Sequence, residues 1–269
     1  MRQNLAQVIF TNIIKTFYLR QDLAQAGTIF VAEIIKNYSA MNLNTPISVS
    51  SGDPYMDRPP VAIYVHGLAS GANATTFDKL AKRFPQFIWM STDFGEELAE
   101  NVKQLNDMIR SNYPQLIVGT SMGGLTVLYA DAPEAVKVAI NPALSIADSV
   151  RHTIGLGRHE YFCERLDGAT EFELTEQMCQ RYERYIASHT PSLGRANYAI
   201  FSPHDELLGD EASAAAQQVV ANSGYRVLID PKGKHRMQSS TIDLIAKEVI
   251  EKEYFSGIFL LNSEQSNEK

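Results

Sequence analysis

Ser121 stands inside Leu116-Ile117-Val118-Gly119-Thr120-Ser121-Met122-Gly123-Gly124-Leu125, a G-x-S-x-G run with an apolar stretch before it and Leu125-Thr126-Val127-Leu128-Tyr129 after it. Strand, tight turn and helix in that order form a nucleophile elbow, which lifts a serine hydroxyl above the C-terminal edge of a sheet. Gly119 and Gly123 supply room there, because a Cβ at either place would meet the facing backbone. The serine would also sit at a helix N-terminus, whose free N–H groups favour developing negative charge. The same residue types make ordinary Gly-rich turns, so the motif needs support from the rest of the chain.

A serine hydroxyl attacks well only when a base takes its proton and a third group orients that base. In an open α/β sheet those partners come from loops after later strands. Tyr198-Ala199-Ile200-Phe201 is followed by Ser202-Pro203-His204-Asp205-Glu206, and Tyr225-Arg226-Val227-Leu228-Ile229 by Asp230-Pro231-Lys232-Gly233-Lys234-His235-Arg236. Asp205 and His235 therefore fall in the chain order Ser…Asp…His that the elbow predicts. Of the six histidines, His152, His159 and His189 lie in an inserted segment, His66 belongs to a loop it would shape by hydrogen bonds, and His204 precedes the acid. Glu206, Asp210 and Asp230 compete as the acid, with Asp230 close enough to His235 to brace its loop instead. His204, Asp205 and His235 lack a convincing metal-ligand spacing. For the oxyanion, the Met122 amide is one expected donor and the Leu68 amide, in His66-Gly67-Leu68, the other.

Those residues need a frame. Val61–Val65, Phe87–Met90, Leu116–Gly119, Val136–Ile140, Tyr198–Phe201 and Tyr225–Ile229 read as short buried strands. Helical segments near 74–84, 98–109, 211–222 and 239–253 alternate with them. The pattern predicts a mainly parallel sheet covered on both faces, a three-layer α/β/α sandwich. Residues 143–196 give no strand signal, while Leu174, Met178, Tyr182 and Tyr185 lie near helical spacing, so a helical cap over the site is expected. Residues 1–45 read as a helical extension, with Leu5, Ile9, Ile13 and Phe17 on one face and a second helix after Asp22; a role in homo-oligomerisation is one possibility. Residues 46–60 read as a linker or edge strand, 61–255 as the main domain and 256–269 as a tail.

With a formal charge of −7 over 269 residues, the chain lacks the basic footprint of a nucleic-acid binder. Cys163 and Cys179 are its only two cysteines; they could pair, though so sparse a use fits a reducing compartment better. No run reaches the ~18 apolar residues of a membrane span, and no signal-peptide pattern opens the sequence. A cytoplasmic protein is the expectation.

Val65-His66-Gly67-Leu68, the elbow, Asp205 and His235 together resemble the α/β-hydrolase superfamily. More narrowly, the strand ending in His-Gly and the run Asn141-Pro142-Ala143 resemble the small bacterial YqiA-type (UPF0227) esterases, over roughly residues 60–250. The resemblance implies an intracellular esterase or thioesterase acting on modest acyl groups without a cofactor. The N-terminal segment departs from it. The residues themselves point to hydrolysis of a small-molecule acyl ester or thioester. Acyl transfer, amidase or lactonase chemistry on the same triad stays open, as does a binding protein that keeps the fold.

Overall fold

The computed structural model describes residues 59–255. The expected N-terminal helices, nearly all of the linker and the C-terminal tail lie outside the described residues. Six strands form one parallel sheet: β1 (Val61–Val65), β2 (Ile88–Met90), β3 (Leu116–Thr120), β4 (Val136–Ile140), β7 (Ala196–Phe201) and β8 (Arg226–Ile229), in the spatial order β2-β1-β3-β4-β7-β8. The chain steps from β1 outward to β2, then returns to place β3 on the other side of β1. That reversal leaves a crevice at the C-terminal ends of β1 and β3, where open α/β sheets bind their ligands.

Alternation along the strands builds both faces of the core. Tyr64, Val118, Ile140 and Ile200 pack on one side with Phe77 and Leu80 of α1 (Thr75–Arg83) and with Ile242 and Ile245 of α7 (Ser239–Ile245). Beyond α7 the chain continues as a wider π-type helix, Ala246–Phe255, whose Val249 joins the same face. On the opposite side Val65 and Ile117 meet Leu105 of α2 (Leu98–Asn112) and Val127 of α3 (Met122–Tyr129). Ala139 and Phe201 pack there too, beside Val220 of α6 (Asp210–Asn222). Every residue of α3 is buried, as expected for a helix that is apolar all round. The three-layer sandwich with a parallel sheet is thus the architecture.

The inserted segment differs from the purely helical expectation. Between β4 and β7 the chain forms α4 (Ile146–Ser149), a π-type turn at Val150–Ile154, an antiparallel hairpin of β5 (Gly157–Glu160) and β6 (Glu171–Leu174), and α5 (Glu176–Ser188). The strands are short and charged on their outer face, which hid them. Glu171-Phe172-Glu173-Leu174 nonetheless alternates exposed and buried, the period-2 signal of a half-buried strand. Thr175 caps α5 by accepting the Met178 amide. Cys163 and Cys179 are both free. Among the described residues no helix is long and apolar enough to cross a membrane.

Candidate active site

The β3–α3 turn forces Ser121 to φ 55°, ψ −120°, a conformation L-residues rarely take. Close approach of neighbouring chain segments requires it. A Cβ on Gly119 would lie 2.3 Å from the Gly123 carbonyl oxygen, and one on Gly123 would lie 2.1 Å from that of Val65. The Ser121 amide donates to Ile140 O at 2.9 Å, and its carbonyl accepts from Leu125 at 2.9 Å and Ala143 at 3.2 Å. The turn is therefore tied on both sides, with the side chain left half-buried at the crevice.

His235 and Asp205 meet it there. The Ser121 hydroxyl lies 3.0 Å from His235 Nε2, and His235 Nδ1 lies 2.9 Å from both carboxylate oxygens of Asp205. Asp205 Oδ1 also accepts the amides of Leu207 at 3.0 Å and Leu208 at 2.9 Å. Burial by itself would raise the Asp205 pKa. The hydrogen bond and charge of His235, helped by the two amides, outweigh that and hold it below the ordinary carboxylate value. With Asp205 ionised, Nδ1 carries a proton and Nε2 is free to accept one from Ser121.

The competing residues do other things. His66 is buried; its Nδ1 lies 2.8 Å from Gly67 O, and its Nε2 accepts the Phe94 amide at 2.9 Å. That pattern assigns a neutral ring with the proton on Nδ1. Burial chiefly drives its pKa down to about 4; the Gly67 hydrogen bond, Asp93 and Asp167 oppose this, and the Arg165 charge adds to it. His66 shapes the loop after β1. Asp230 is buried and accepts the hydroxyls of Ser240 at 2.8 Å and Thr241 at 2.7 Å, bracing the histidine loop against α7. Glu206 accepts the His235 amide at 3.2 Å, His204 is exposed, and Asp210 begins α6. His152, His159 and His189 all lie in the insertion. Among the described residues no group of three His, Cys, Asp or Glu is arranged to hold a metal ion.

The Leu68 and Met122 amides have no hydrogen-bond acceptor among the described residues. Both belong to segments touching Ser121: Met122 follows it, and a Cβ on Gly67 would lie 3.2 Å from its Cβ. The Gly67–Leu68 peptide is trans, so its carbonyl and N–H point in opposite directions. His66, by holding the Gly67 carbonyl, fixes the direction of the Leu68 N–H.

Residues 61–193 match the sequence model of UPF0227, an uncharacterised protein family. The chain has the α/β-hydrolase fold, and the part of it from 61 to 193 is similar to UPF0227. No curated protein sequence matches it. Among solved structures, alpha/beta hydrolase domain-containing protein 10 from mouse is 14% identical with a TM-score of 0.51, covering 72% of this chain and 91% of that one. Est1E from Butyrivibrio proteoclasticus, with ferulic acid bound, is 16% identical with a TM-score of 0.51, covering 72% and 89%. At such identities the likeness concerns the fold.

Two further residues, both within the segment similar to UPF0227, hold the site. Asn141 is buried at φ 43° just after β4. Its Nδ2 donates to Lys234 O at 2.9 Å and Ser202 Oγ at 3.2 Å, while its Oδ1 accepts the Ser202 amide at 2.9 Å. One side chain thereby joins the acid loop to the histidine loop. Its signal in the sequence is the Asn141-Pro142-Ala143 run. The other is Arg165, in the hairpin loop, which nothing in its local sequence marks.

Proposed function

We propose that the chain is a serine hydrolase that cleaves carboxylic esters or thioesters of small to medium acyl groups. The continuous line of hydrogen bonds from Asp205 through His235 to Ser121 is the observation that supports this reading. In the proposed reaction His235 Nε2 removes the Ser121 proton as Oγ attacks the carbonyl carbon. Asp205 keeps the imidazole in the right tautomer and stabilises the imidazolium. The Met122 and Leu68 amides receive the charge on the carbonyl oxygen. The tetrahedral species collapses as His235 protonates the departing alcohol or thiol. Water, deprotonated by the same nitrogen, then attacks the acyl-Ser121 ester and releases the acid. No cofactor enters the scheme.

The experiment is intact-mass labelling with a fluorophosphonate, followed by turnover of p-nitrophenyl acetate. A single adduct on the wild type that is absent from Ser121→Ala, with turnover lower by several orders of magnitude in that variant, is the expected result. Turnover by folded Ser121→Ala near the wild-type rate would refute the assignment.

A further inference from the structure

The geometry points to Arg165 as a positioning residue for the oxyanion donor Leu68: a guanidinium supplied by the insertion holds from behind the loop that carries the donor. This rests on the hydrolase reading and gives the insertion a part in it.

The Arg165 side chain is 4% exposed although it lies in the turn of a two-stranded hairpin. One edge of the guanidinium stays within that turn: Nε and Nη2 donate to the Asp167 carboxylate, with Nη2 at 2.8 Å. The plane lies 4.2 Å from the centre of the Tyr161 ring. Nη1 instead leaves the insertion and donates to Ser70 O at 2.9 Å and Phe94 O at 3.0 Å. Those are carbonyls of the loops after β1 and β2, and no other donor reaches either one among the described residues. The contact is close, since a Cβ on Gly71 would lie 3.0 Å from Arg165 Cγ.

A short relay connects this anchor to the donor. The Phe94 carbonyl takes Arg165, the Phe94 amide gives to His66 Nε2, and His66 Nδ1 gives to the Gly67 carbonyl, whose peptide carries the Leu68 N–H. On the other flank Arg165 grips Ser70, and the Phe162 amide donates to Ala69 O at 2.8 Å. The loop is thus held on both sides of Leu68, through His66 and Phe94 on one flank and directly by Arg165 and Phe162 on the other. Only a planar fork can serve the carboxylate and two carbonyls at once; a lysine ammonium on its flexible stem cannot hold that geometry.

The test uses the full chain with p-nitrophenyl acetate as substrate and phenylboronic acid as a tetrahedral mimic. Displacing an oxyanion donor is expected to cost less than deleting one, so Arg165→Met should lower kcat by about 10- to 100-fold. KM should stay within about threefold, and boronate affinity should fall in parallel with kcat/KM. Arg165→Lys should fall between that variant and the wild type. Asp167→Asn, which loosens the guanidinium, should show the same pattern more weakly. A merely structural role would lower the active fraction and leave boronate affinity unchanged, and that result overturns the inference. If Arg165→Met does not fold, Arg165→Lys and Asp167→Asn decide, and wild-type kcat and boronate affinity in both overturns it. A wild type that neither turns over ester nor binds boronate would instead fell the hydrolase reading, and the inference with it.

Discussion

Among the described residues two cations, Arg165 and Lys137, are buried, one at each end of the sheet, and they are handled differently. Arg165 lies beyond the C-terminal ends of β1 and β2, keeps the Asp167 carboxylate beside it, and stays charged. Lys137 lies near the opposite end, on β4, and is 0% exposed with no ion pair among the described residues. Its ammonium is distributed over Ala130 O at 2.8 Å, Ser192 O at 2.8 Å, Ser192 Oγ at 2.9 Å and Leu128 O at 3.2 Å. Burial drives its pKa down to about 7, the charge of Asp131 only partly opposing this. Both tie main-chain carbonyls together. The difference teaches that the end bearing the candidate site keeps its cation charge-compensated, so geometry there holds across pH, while the far end tolerates a group that discharges near neutrality.

Mutations at the two ends should separate accordingly. The largest effect belongs to Asp205→Asn, which keeps the shape but supplies the wrong hydrogen-bonding partner to His235. It should lower kcat by about 10³- to 10⁴-fold with a nearly unchanged melting temperature, read by steady-state kinetics beside calorimetry. Asn141→Ala comes next and strikes both properties. The buried Ser202 amide and Lys234 carbonyl lose their partners, so a loss of about 2–3 kcal/mol in urea unfolding should accompany a kcat about tenfold lower or more. A variant as stable as the wild type would mean that the two loops hold each other without Asn141.

Lys137→Met should be the mildest for activity, leaving kcat within about twofold, and diagnostic for stability. The lysine pKa is lower in the folded chain, about 7, than the ~10.4 of an unfolded one. Between those values the unfolded state binds the extra proton, so stability rises as pH rises; below about 7 both states are charged and the full cost of burial is present. Urea unfolding at pH 7, 8 and 9 should show the wild type gaining up to about 1.4 kcal/mol per pH unit from this group, a slope that Lys137→Met lacks. Equal slopes in the two proteins would erase the contrast with Arg165.

The legible parts of the molecule were those whose signal is local. Val61–Val65 and Val136–Ile140 read as buried strands because β-branched and small residues crowd them, and Lys137 did not break the pattern. The meeting of Ser121, Asp205 and His235 was legible through chain order, since each follows a strand of one parallel sheet. The hairpin was not: β5 is written Gly-Arg-His-Glu, which reads as surface whether or not it pairs. Arg165 and Lys137 were invisible for a related reason. Each ties distant segments through main-chain carbonyls, which every residue possesses, and sequence holds no mark of which carbonyl a cation will find. Asn141 lay between these cases, present as a motif but without a role until its four-way bonding was seen.

The positive φ of Ser121 has an evolutionary corollary. A β-carbon held at φ 55°, ψ −120° costs on the order of 1–3 kcal/mol, which glycine would not incur. Ser121→Gly should therefore unfold at higher urea than the wild type while losing all turnover, a gain of about 1 kcal/mol by the usual scale of backbone relief. Selection acting on the fold alone would drift toward that glycine. A serine here is stability forgone in favour of a hydroxyl, and a lineage that used this domain only as a scaffold would have had every reason to let it go.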